Sequence, residues 1–143
     1  MIELPGGDWA LPYTGFNVPH KYPRVKAERH TGYALWPKER FAGVQARESG
    51  SLTTVYVIPP GQKVLINTTT PRAGSIRAEV LDGKGEVIPG REMERSIPLF
   101  GDLFWEPLRW ESHQDTGARP DDAVAIRLKL NQATVYGLEF TEA

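Results

Sequence analysis

The chain has 143 residues, 40% of them hydrophobic, and its 17 basic and 18 acidic residues leave a net charge of -1. That length suits one domain with a substantial core, while the balanced charge, with no polybasic block, gives nucleic acid and anionic membrane no electrostatic footprint. The lack of cysteine excludes disulfides, cysteine-ligated metal centres and thiol nucleophiles, and no apolar run reaches the ~20 residues that span a bilayer.

The first eight residues lack the basic-then-apolar plan of a signal peptide. Trp9, Leu11, Tyr13 and Phe16 then predict one strand, and residues 17–26 form a basic, proline-containing loop. Neither piece has a hairpin partner close by in sequence. Residues 1–30 therefore read as an N-terminal extended segment, set apart from a β-sandwich domain over residues 31–143.

From Tyr33 onward short alternating runs are separated by turn residues, the pattern of a sandwich or barrel. Residues 33–36 and 41–46 flank the turn-prone Pro37-Lys38-Glu39-Arg40. Residues 52–58 are rich in Thr, Val and Tyr and stop at Pro59-Pro60-Gly61. A strand through Val64 and Ile66 follows. Ile76, Ala78 and Val80 then share one face, with Arg77 and Glu79 on the other. Asp82-Gly83 predicts a tight hairpin turn, and a short strand at Val87 and Ile88 ends at Pro89-Gly90. Val124, Ile126, Leu128 and Leu130 form one apolar face and Tyr136, Leu138 and Phe140 another, with Asn131-Gln132 expected as the turn between two strands. Residues 91–103 and 112–122 are the longest irregular pieces. The expected fold is all-β, an antiparallel jelly-roll-like β-sandwich of eight or nine strands.

Several kinds of chemistry are missing. His20, His30 and His113 are scattered without companions at metal-ligand spacing, so no metal site is expected. No Gly-x-Ser-x-Gly elbow occurs. Gly83 and Gly85 sit in a hairpin rather than before a helix, so no dinucleotide cofactor is expected either. Glu106 and Glu111 are close in sequence but read as solvated rim carboxylates rather than a glycosidase pair.

The aromatic run Leu103-Phe104-Trp105-Glu106-Pro107-Leu108-Arg109-Trp110 is the richest local feature. In an extended chain Trp105 and Arg109 share a face with Leu103, while Phe104, Leu108 and Trp110 take the other, and Trp110 is expected in the core. A tryptophan beside a charged hydrogen-bonding group suits a sugar ring, which offers C–H groups to a flat apolar face and hydroxyls to polar tips. Trp105, Arg109 and, where Pro107 breaks the alternation, Glu106 are the candidate ligand-binding residues. His20 and Tyr22, beside Lys21 and Arg24, are further candidates for a sugar or anion.

The ordered series Gly50-Ser51-Leu52-Thr53-Thr54, Ile66-Asn67, Gly74-Ser75-Ile76-Arg77-Ala78-Glu79-Val80-Leu81-Asp82-Gly83-Lys84-Gly85, Ile88-Pro89-Gly90 and Tyr136-Gly137-Leu138-Glu139-Phe140 resembles the C-terminal β-sandwich behind five-bladed propellers in proteins similar to glycoside hydrolase families 32 and 43. Trp9 to Arg24, with Tyr13-Thr14-Gly15 and Pro19-His20-Lys21-Tyr22-Pro23-Arg24, is similar to the last propeller strand and its exit linker. The resemblance implies a non-catalytic accessory domain, since the catalytic carboxylates of such enzymes sit on the propeller. It implies a carbohydrate and a propeller domain as partners. One alternative is a structural module with no small ligand that self-associates, with residues 9–16 expected to add to a sheet edge of a second copy and form a homo-oligomer; a second is a free-standing glycosidase-like enzyme, which would need two facing carboxylates in a cleft.

Overall fold

The computed structural model describes residues 1–19 and 26–142. The chain divides into two compact units, Met1–Ala42 and Gly43–Ala143. All regular structure among the described residues is β-strand, apart from one 3-10 turn at Met93–Arg95.

In the first unit, β1 (Ile2–Glu3), β2 (Trp9–Phe16) and β3 (Arg29–Trp36) form an antiparallel sheet in that order. Asn17 ties the ends of the long β2–β3 connection together: its N–H donates to the Glu28 carbonyl at 3.3 Å, and its Oδ1 accepts the Glu28 N–H at 2.9 Å. The register sets Trp9 opposite Trp36, Leu11 opposite Ala34 and Tyr13 opposite Gly32 on one face. Ile2, Ala10, Pro12 and Phe16 share the other face with Leu35 and Tyr33. The sheet is therefore apolar on both sides. Tyr33 and Leu35 are 64% and 63% exposed, so their own unit does not cover them.

This pairing corrects two expectations. Residues 9–16 do have a hairpin partner, and residues 33–36 belong to it rather than opening the sandwich. The intervening residues 17–28 exceed the about 2–5 residues of common hairpin loops, so proximity in sequence gave no sign of the pair.

In the second unit, β4 (Val44–Thr53), β5 (Lys63–Thr69), β6 (Ser75–Asp82), β7 (Asp102–Pro107) and β8 (Val124–Thr141) are all antiparallel. The long strand β8 organises the unit. Its first half pairs with β6, from Val124 to Asn131, and its second half with β5, from Thr134 to Thr141. Strand β4 follows it across both halves, with a bulge between Ala46 and Ser49. Two layers result, β6–β8–β4 and β4–β8–β5–β7, an all-β antiparallel sandwich as the alternation predicts. Asn131-Gln132 is thus not a hairpin turn. Gln132 adopts φ 45 and bends a continuous strand, because the two halves already have separate partners and need not pair with each other.

The core lies between the layers. Val64 and Ile66 of β5, Ile76, Ala78 and Val80 of β6, and Val124, Ile126, Leu128 and Leu130 of β8 are all at most 2% exposed. Each such side chain contributes about 1.5–3 kcal/mol when fully buried, alanine less. Trp110 is buried as expected, and its Nε1–H donates to the Ala78 carbonyl at 2.9 Å. The Asp82 hairpin forms, but the glycine in the left-handed region is Gly85, at φ 87, rather than Gly83. Asp82 Oδ1 accepts the N–H groups of Glu86 and Lys84, both at 2.9 Å, which holds its carboxyl below the ordinary value of 3.8.

Candidate functional site

The outer face of the β4–β8–β5–β7 layer is set by irregular pairing around Asn67. On one side of β5, Ile66 pairs with Glu106 and Thr68 with Leu103, which leaves Phe104 and Trp105 together opposite Asn67. On the other side, Asn67 pairs with Gly137 and Thr68 with Val135, which leaves Tyr136 as the extra residue of β8. Two bulges thus flank the same point of β5. A bulge re-aims side chains that plain alternation would send elsewhere, and bulges are over-represented beside active sites.

Three aromatic side chains gather there. Trp105 holds φ 55, a left-handed conformation that costs a non-glycine residue roughly 1–2 kcal/mol. Its ring lies against Gly137: a Cβ added at that glycine would sit 3.0 Å from Trp105 Cη2. Phe104 meets Trp105 edge-on with ring centroids 6.1 Å apart. The Tyr136 hydroxyl lies 3.2 Å from Thr69 Oγ1, and its ring packs beside Gly43, where an added Cβ would come within 2.9 Å of it. Asn67 is fully buried at the centre.

Next to this aromatic group runs a polar row across four strands. Asp102, Thr69, Thr134 and Gln45 are successive register partners and so share the outer face. The row leads into an open cleft of about 480 Å³ lined by Gln45, Arg47, Thr69, Thr70, Gln132 and Thr134, with Ala46 and Pro71. Hydroxyls and amides dominate it, with one guanidinium and no carboxylate. Partly exposed aromatic rings beside such a row can stack on the C–H face of a sugar and bond to its hydroxyls.

The predicted site residues are divided between two faces. Trp105 stands on the face just described. Glu106 is the register partner of Ile66, one residue along β5 from Asn67, so it belongs to the opposite face. There it meets Arg109, with Oε1 3.6 Å from Nη2 and both side chains nearly half exposed. Glu111 lies 4.0 Å from Arg95. The spacing that grouped Trp105 with Arg109 assumed unbroken alternation, and the bulge removes it. His20 and Tyr22 lie outside the described residues.

Sequence reasoning missed Tyr136, Thr69, Thr134 and Gln45 as site residues. Their grouping depends on register between distant strands, which no local pattern encodes. The only sequence signal near them is Asn67, a polar residue directly after the apolar run Val64-Leu65-Ile66. Among the described residues no group of three or more His, Asp or Glu side chains could hold a metal ion. Comparisons with family models, with curated proteins and with solved structures return no match.

Proposed function

We propose that this protein is a non-catalytic accessory β-sandwich that binds a neutral carbohydrate beside a propeller domain of glycoside-hydrolase type. The observation that carries the reading is the double bulge at Asn67, which brings Trp105, Phe104 and Tyr136 together next to the Thr69–Thr134–Gln45 row. Strain at Trp105 persists only where surrounding structure enforces it, and positions of that kind cluster at ligand sites. The place beside a propeller draws on the family resemblance and on the first unit, whose sheet is apolar on both faces and so suits a position stacked between other sheets. Propeller blades are sheets stacked in that way.

The test is binding to an array of neutral oligosaccharides, followed by calorimetry on any hit. Wild-type protein is expected to bind, and Trp105→Ala to weaken binding about tenfold while the far-ultraviolet spectrum stays unchanged. An empty array, or equal binding by a folded Trp105→Ala variant, refutes the carbohydrate role.

A second reading, self-association without a small ligand, is favoured by a separate observation. Strand β1 pairs only with Trp9 and Ala10, so the same edge of β2 from Leu11 to Phe16 carries no strand among the described residues. An edge of this kind with apolar side chains is a template for a second copy. Light scattering is expected to show a dimer or larger species. A clean monomer at high concentration refutes this alternative.

A further inference from the structure

The outer face of the other layer, β6–β8–β4, carries three successive cross-strand rows. In the first, Glu79 of β6 faces Arg127 of β8, and Thr53 of β4 lies beyond. The two charges meet, with Glu79 Oε1 2.5 Å from Arg127 Nη1. In the second row Arg77 faces Lys129, with Ser51 beyond; in the third Ser75 faces Asn131, with Ser49 beyond. The first row is a matched pair and the second is two cations.

Directly opposed residues of an antiparallel ladder place their Cβ atoms about 5 Å apart, and like charges there are destabilising. Glu79 is engaged by Arg127, and among the described residues no hydrogen bond or ion pair holds the Lys129 ammonium. Arg77 is pinned through one nitrogen, Nη1, to the carbonyls of Ser96 at 2.6 Å and Glu94 at 3.4 Å. A guanidinium has five N–H groups, so this anchoring leaves donors for a ligand. A shallow cleft of about 290 Å³ lies over the mismatch, lined by Ser49, Ser75, Arg77, Lys129, Leu130 and Asn131.

We propose that this second row is an oxyanion-binding site, where a sulfate, phosphate or carboxylate group takes the place that Glu79 fills one row away. Arg77 and Lys129 supply the charge, and the hydroxyls of Ser49, Ser51 and Ser75 supply neutral donors around it. The site shares β4 and β8 with the Trp105 layer but is lined by different residues, Ser49, Ser75, Arg77, Lys129 and Asn131 rather than Gln45, Thr69 and Thr134, and it does not depend on the neutral-carbohydrate reading. Two sources present the same chemistry, a free inorganic ion and a sulfated polymer.

The experiment is a nuclear magnetic resonance titration of the whole chain with sodium sulfate and separately with dextran sulfate, each against sodium chloride at equal ionic strength. Saturable shifts confined to the amides around Ser49, Ser75, Arg77, Lys129 and Asn131 are expected. Lys129→Gln is expected to weaken binding about tenfold, the loss of one charge-assisted bond. Lys63→Gln, on β5, is expected to leave it unchanged. Saturation by sodium sulfate identifies a free ion as sufficient, whereas binding to dextran sulfate alone, lost in Lys129→Gln, identifies the polymer. Shifts that chloride reproduces, or a Lys129→Gln variant that binds both probes like the parent, overturn the proposal. Arg77→Gln also removes bonds to the backbone, so the decisive variant is Lys129→Gln, whose side chain makes no hydrogen bond or ion pair among the described residues. Without added anion it is expected to melt at the parent temperature or above it, because it removes a repulsion. A fall in melting temperature there marks Lys129 as structural and refutes the site.

Discussion

Gly74 tests the bend in β8 most directly. It is buried at the entry to β6, where its N–H donates to the Pro71 carbonyl at 2.9 Å. Its φ is not in the left-handed region, so replacement by alanine carries a steric effect without a backbone-conformation effect. A Cβ placed there lies 2.5 Å from the Gln132 carbonyl oxygen, 2.9 Å from that of Asn131 and 2.9 Å from Thr70 Cβ. Two of these neighbours are backbone in the strand that both layers share, and neither can swing aside like a side-chain tip. Relief requires the bend to move by roughly half an ångström against paired strands on both sides. Overpacking in well-packed sites costs about 1–3 kcal/mol, and the rigid neighbours put Gly74→Ala at the upper end, ~3 kcal/mol. For a unit of about 100 residues that lowers the melting temperature by ~10 °C or more. Urea unfolding followed by far-ultraviolet circular dichroism measures the loss. Gly6→Ala, with no atom within 4 Å of the added Cβ, is the neutral control. A Gly74→Ala variant within about 0.5 kcal/mol of the parent, the spread of ordinary surface substitutions, refutes the bend as described.

Other expectations follow from single contacts. Trp105→Gly and Trp105→Ala both remove the ring, but only glycine adopts φ 55 without cost, so the glycine variant is expected to be more stable by about 1 kcal/mol in urea unfolding; equal midpoints refute a left-handed Trp105. Trp110→Phe leaves the buried Ala78 carbonyl without its donor and opens space in the core, at an expected loss of about 3 kcal/mol by the same measurement. The Asp82 carboxyl is held below 3.8 by the N–H groups of Glu86 and Lys84, and that of Glu92 below 4.5, chiefly by the Gly90 N–H. Because the folded-state values are depressed, the unfolded chain binds protons first as pH falls. Both contributions are therefore present above the ordinary carboxylate values and are lost on acidification through the folded ones. Asp82→Asn with Glu92→Gln is expected to flatten the acid limb of a melting-temperature profile, and an unchanged limb refutes the linkage.

The strands of the sandwich were legible because their apolar residues alternate over short stretches bounded by Pro and Gly. Val64 and Ile66, the Ile76-Ala78-Val80 face and the Val124-to-Leu130 face all became core. Long-range pairing was not legible. Residues 9–16 and 33–36 each look like lone strands, and their union across residues 17–28 is visible only once the sheet is formed. Asn131-Gln132 carries turn-prone side chains, yet the surrounding alternation suits a hairpin and a bent continuous strand equally well; the presence of β5 and β6 as separate partners decides between them. At the site, Trp105 was identifiable by type alone. Its companions were not, because a bulge shifts every later side chain to the other face, and bulges arise from pairing rather than from local propensity.

The same dependence on register explains why charge totals said so little about function. A net charge of -1 describes the chain as a whole, but in a sheet electrostatics act row by row. Shifting β6 by one residue against β8 would send Arg77 and Glu79 to the core face and abolish both the matched row and the mismatched one. Burial of Ile76, Ala78 and Val80 forbids that slip, so the core chooses the register and the register then places Arg77 opposite Lys129. Stability alone would be served by an acidic residue at either position. An opposed pair of cations that the core locks in place, with serine hydroxyls around it, is better accounted for by an anion that arrives from outside. On the other layer the core performs the corresponding task for Trp105: with Ile66 and Val135 locked inward, the two bulges can only displace residues on the face that looks away from the core.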